Sequence, residues 1–118
     1  MDLGNPPPLP EGHYIRLLQT ALREKELGDR LLKAPGSFVE DEGWRVALLG
    51  QAGEGYLRAW VWEEEGEVQW GVEVADSPGE RAGITLVEGR AATLEEAKAL
   101  ALKRGEALLS LLKALEQA

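Results

Sequence analysis

Between Trp44 and Glu88 apolar residues alternate with polar ones, the period of a half-buried strand. The two ends of the chain instead repeat at three and four, the period of a helix. The first helical stripe begins near Gly12 and carries Ile15, Leu18 and Leu22, with Tyr14, Leu17 and Ala21 beside it. Gly28-Asp29 is expected to interrupt it, with Asp29 capping a short last turn that bears Leu31 and Leu32, and Pro35-Gly36 closes the segment. Four strands follow: Trp44–Leu49, Tyr56–Glu63, Glu67–Ala75 and a shorter Gly83–Glu88. Gly50–Gly55 is read as a flexible hairpin connection and Asp76-Ser77-Pro78-Gly79 as a turn. Thr93-Leu94-Glu95-Glu96 has the form of a capping box. Beyond it Leu94, Ala97, Ala101, Gly105, Leu108, Leu112 and Leu115 make one stripe, small in its first half.

A two-residue turn at Glu65-Gly66 fixes two faces of the central hairpin. It sets Val61 opposite Trp70, Ala59 opposite Val72 and Leu57 opposite Val74, an apolar face suited to the C-terminal helix. The other face holds Tyr56, Arg58, Trp60, Trp62, Gln69 and Glu73, with Arg58 opposite Glu73 and Trp60 opposite Gly71. The expected fold is α+β: an antiparallel sheet of three or four strands, a long C-terminal helix on one face, and an additional N-terminal helix. Residues 11–118 form a single domain behind a flexible proline-rich leader, 1–10. Three aromatics on the outward face need a cover. The N-terminal helix or the leader would serve; so would a second copy, making this face the interface of a homodimer.

Charge refines that picture. The chain has 118 residues and a formal charge of −8. Residues 1–36 hold five acids and five bases, and residues 93–118 hold four of each. Residues 37–92 hold twelve acids against Arg45, Arg58, Arg81 and Arg90, so the whole excess lies on the sheet. Such a surface favours a basic protein partner and repels nucleic acid. With no Cys and one His, thiolate metal sites, disulfides, Cys nucleophiles and multi-His cages are excluded. No signal-peptide pattern or bilayer-length apolar run occurs, so a cytoplasmic protein without a membrane partner is expected. A single Asn and abundant Glu and Arg suit a thermophile, or a GC-rich genome.

Candidate chemistry is sparse. His13 lies near the prolines, away from any G-x-S-x-G pattern. Glu63, Glu64, Glu65 and Glu67 crowd a hairpin tip without calcium-loop spacing. Gly50-x-x-Gly53-x-Gly55 leads into a strand and lacks the Lys and Ser or Thr of a phosphate loop. No catalytic residue, metal site or cofactor is therefore expected. Tyr56, Arg58, Trp60 and Trp62 make a possible stacking platform for single-stranded nucleic acid, opposed by the local negative charge. The run Glu88-Gly89-Arg90-Ala91-Ala92-Thr93-Leu94-Glu95-Glu96-Ala97, entering a Leu-rich helix after antiparallel strands, resembles the small HicB-type antitoxin domains. That resemblance implies a short sheet followed by a helix, and a small basic RNA-cleaving toxin as partner. The leading expectation remains a non-catalytic binding or assembly module, a homodimer through the aromatic face. Antitoxin and single-strand binder are the alternatives.

Overall fold

The computed structural model describes residues 11–81 and 83–117; the expected leader lies outside the described residues. Helix α1 spans Glu11–Lys33. Five strands follow: β1 Val39–Asp41, β2 Trp44–Ala52, β3 Gly55–Glu64, β4 Glu67–Ala75 and β5 Ile84–Ala91. Helix α2, Leu94–Glu116, closes the chain. The strands form one antiparallel sheet in chain order. The fold is α+β as expected, with five strands rather than three or four.

The central register follows from its turn. Glu65 and Gly66 both have positive φ, 50° and 80°, the signature of a type I′ hairpin whose twist matches its strands. Val61 pairs with Trp70, Ala59 with Val72 and Leu57 with Val74, as the alternation predicts. A second Glu-Gly turn, Glu42-Gly43 with φ of 49° and 81°, folds β1 back onto β2. β1 escaped the sequence reading because three residues, two of them acidic, carry too little alternation to register.

Three sequence expectations are corrected. The Gly50–Gly55 stretch is largely strand: β2 runs through Ala52, β3 begins at Gly55, and only Gly53-Glu54 turns. A bulge between Leu48 and Gly50 absorbs the extra residue. Strand β5 continues to Ala91, three residues past the expected end. Helix α1 passes through Gly28 without a break, and Asp29 lies inside it, paired with Lys25 at 3.4 Å rather than capping. Gly28 is buried; a Cβ there would sit 3.2 Å from the Gly79 nitrogen. It serves helix-to-loop approach, which outweighs its poor helix propensity.

The core has two layers, one on each face of the sheet. Helix α2 covers the inner face, where Ala59, Val61, Val68 and Trp70 meet Ala97 and Ala101. The small stripe Ala97, Ala101, Gly105 is buried, so the helix backbone lies close to the strands. Leu49 occupies the space that a Cβ at Gly105 would need. Burial of such side chains, worth about 1.5–3 kcal/mol each for the larger ones, supplies the main stabilisation. The Thr93 hydroxyl accepts from the Glu96 amide at 3.1 Å and starts the helix as expected. On the outer face Leu27 and Leu31 of α1 pack on Val46 and Leu48, with Val39, Trp44 and Tyr56 at the margin.

The 76–80 turn clamps α1 to this second layer. A Cβ on Gly79 would collide with the Glu24 carbonyl oxygen, a backbone atom that cannot swing aside. Gly79→Ala is therefore expected to cost about 1–3 kcal/mol or more. Urea unfolding should show a lowered midpoint, with earlier proteolysis near Gly28; an unchanged midpoint refutes the clamp.

Candidate functional site

The outer face is divided between a covered half and an open half. Over β1 and β2 the C-terminal half of α1 covers Val46 and Leu48. Over β3 to β5 the face opens into a cavity of about 270 Å³ lined by Trp44, Trp60, Trp62, Gln69, Glu73, Arg81, Gly83 and Thr85. Strand alternation and register build it. Trp44 pairs with Trp62 across β2–β3, and Trp62 with Gln69 across β3–β4. The Trp60 indole lies over Gly71, where a Cβ would strike the ring. An aromatic ring thereby shields bare backbone on the strand interior. Trp62 donates from Nε1 to a Glu64 carboxylate oxygen at 3.2 Å, which holds its ring at the rim.

Beneath the cavity floor lies an ion pair. Arg58 Nη2 is 2.9 Å from Glu73 Oε1, with side chains 0% and 5% exposed. The contact is close yet off-axis, so Arg58 Nε and Nη2 and Glu73 Oε1 are left without an aligned hydrogen-bond partner. Arg58 Nη1 donates to the Pro78 carbonyl at 2.8 Å. Its guanidinium lies 5.4 Å from the Trp44 ring centroid. Burial lowers the proton affinity of Arg58 and raises that of Glu73, and each partner's charge opposes the other's shift. Desolvation leads in both, so the pair is a costly element of the packing. A Cβ on Gly83 would press on the Glu73 carboxylate, so the loop leading into β5 approaches this pair closely as well.

Around the cavity edge Glu42 accepts from Arg81 Nη1 at 3.1 Å and pairs with Arg23 at 3.3 Å. One carboxylate thus ties the β1–β2 turn to α1 and to the β4–β5 loop. These contacts are exposed and contribute little individually.

The six residues singled out by sequence separate into three groups. Trp60, Trp62 and Gln69 are half-buried and reach the cavity. Arg58 is fully buried, and Glu73 nearly so while still touching the cavity. Tyr56 packs against the α1 layer. Trp44, Arg81 and Thr85 line the cavity and were missed. Trp44 was legible once β2 is paired with β3 through Gly53-Glu54. Arg81 sits on a loop, where no periodicity speaks for it.

Chemically the cavity offers indole faces, an amide, a hydroxyl and the Arg81 guanidinium, with its acid already committed to Arg58. Among the described residues no group of three or more His, Cys, Asp or Glu is placed to hold a metal ion. No described helix is long and apolar enough to cross a membrane. A larger apolar groove, about 400 Å³, lies on the other side of the sheet between Leu86, Val74, Leu112 and Leu115.

Truncating one partner of the buried pair strands the other charge. Arg58→Ala or Glu73→Ala should each cost about 3–5 kcal/mol, whereas Arg58→Met with Glu73→Leu should recover most of that loss. Chemical denaturation of the four proteins checks this; a double variant no better than the worse single one refutes it.

No protein-family model, curated protein or solved structure matches this chain.

Proposed function

We infer that the chain is a non-catalytic assembly module that forms a homodimer through the open half of its outer face. The supporting observation is the trio Trp44, Trp60 and Trp62 around one open cavity, on the face that α2 does not cover. Aromatic side chains are enriched where interfaces carry their energy. Closed two-fold pairing is the commonest assembly available to a single chain. Arg58 and Glu73 act from below: they hold the Trp44 ring and the Pro78 carbonyl in place rather than touching the partner.

The surface charge favours a second reading, a basic partner protein, which is also what the HicB-type resemblance implies. Twelve acids against four arginines over residues 37–92 give that partner a complementary field. Single-stranded nucleic acid suits the surface less. Glu88 pairs opposite Gly71, and Glu63, Glu64, Glu65 and Glu67 crowd one end of the hairpin, so phosphate contacts would be repelled.

Sedimentation velocity of the purified chain should give a dimer near twice 12.9 kDa. Trp62→Ala should weaken it at least tenfold, an interface loss of about 1.4 kcal/mol. Wild-type protein that stays monomeric at high micromolar concentration refutes self-association. If it then binds a co-expressed basic protein, the second reading takes its place; quenching of tryptophan by oligonucleotides would favour the third.

A further inference from the structure

Helix α1 has two apolar faces on opposite sides. Leu27 and Leu31 are buried against the sheet. Tyr14, Ile15, Leu17, Leu18 and Leu22 each keep more than half of their surface in solvent, as does Leu32 near the other end. Leu18 and Leu27 are nine residues apart, as are Leu22 and Leu31. At about 3.6 residues per turn nine residues make two and a half turns, which sets each pair on opposing sides of the helix. Leu18 and Leu22 therefore cannot reach their own sheet while Leu27 and Leu31 remain packed. The helix thus packs on the sheet through its C-terminal half and presents apolar side chains along its N-terminal half that no surface among the described residues covers.

We propose that the covering surface is the open outer face of another copy: the α1 stripe of each chain lies on the Trp60, Trp62 and Gln69 strip of its partner. This rests on the dimer reading above and names what occupies the cavity. Charge supports the match. Residues 12–23 carry Arg16 and Arg23, the latter already paired with Glu42, and no Asp or Glu, while Glu64, Glu65, Glu67 and Glu88 border the Trp62 and Gln69 strip against Arg90. A direct sheet-to-sheet dimer would instead bring two acidic faces together. Insertion of the two helices keeps them apart and covers exposed leucines and tryptophans in one step. The contact is made twice, once from each copy, so it closes as a two-fold pair with α2, sheet, paired α1 helices, sheet and α2 in layers.

The test uses the full chain. Leu18→Glu with Leu22→Glu changes only solvent-facing positions, so far-UV circular dichroism and the unfolding midpoint should match wild type. Sedimentation equilibrium should show dimerisation weakened at least a hundredfold. The chain has no cysteine, so engineered thiols report one contact only. A mixture of the Leu18→Cys and Gln69→Cys variants should give a mixed disulfide in preference to either self-linked product. A dimer that survives the double Glu change, or forms no mixed disulfide, overturns the α1 assignment. If Trp62→Ala still weakens that dimer, the outer-face reading stands without it. A monomeric wild type overturns both. Assemblies growing beyond the dimer overturn the closed two-fold arrangement.

Discussion

The type I′ turn at Glu65-Gly66 governs the rest of the molecule. Strand side chains alternate with a period of two, so a slip of one residue would exchange the two faces of β4. In the native register the turn sends Val61, Val72 and Trp70 under α2 and Trp60 and Trp62 to the other side. The same register sets Arg58 directly opposite Glu73 and Trp60 opposite Gly71. A slip would bury one charge without its partner and push a ring against a side chain. Both penalties oppose the slip that the turn geometry also disfavours, so register and turn reinforce one another.

On that frame the two helices are attached by different means. Helix α2 uses area: its small stripe lets the backbone settle on three central strands, and its capped start fixes where it begins. Helix α1 uses points. Two leucines, the Gly28–Gly79 approach and the carboxylate of Glu42 hold it, while its N-terminal half projects with leucines in water. Exposed apolar residues scattered singly are ordinary, but Tyr14, Ile15, Leu17, Leu18 and Leu22 fall within nine positions of one helix and form a patch. The elongated outline, 59 Å by 25 Å along the longest and shortest axes, reflects that unevenly supported helix.

Where the signal was periodic, the sequence was readable. The hairpin register, the inner and outer faces and the Thr93 start all follow from spacing and turn chemistry. Spacing also found the α1 stripe, but burial reverses its meaning: Ile15, Leu18 and Leu22 face solvent and the less conspicuous Leu27 and Leu31 pack. Periodicity reports that a helix has an apolar side and is silent about which surface meets it. Gly28 misled because a glycine needed for backbone approach reads the same as one that ends a helix. The candidate site was half legible for a similar reason. Parity placed Trp60, Trp62 and Gln69 on one face, yet burial of Arg58 and Glu73 depends on Pro78, Trp44 and Gly83 arriving from other segments.

That convergence gives the Arg58–Glu73 pair its role. Burial disfavours the charged form of both groups, and each partner's charge opposes that shift. A hydrophobic replacement would offer the Pro78 carbonyl no donor. The guanidinium, held 2.9 Å from the Glu73 carboxylate on β4, ties the loop to the sheet through its bond to the Pro78 carbonyl. The loop it positions carries Gly79, against which α1 closes. The buried pair, the 76–80 loop and α1 thus form one continuous run of contacts, from Arg58 through Pro78 and Gly79 to Glu24 and Gly28.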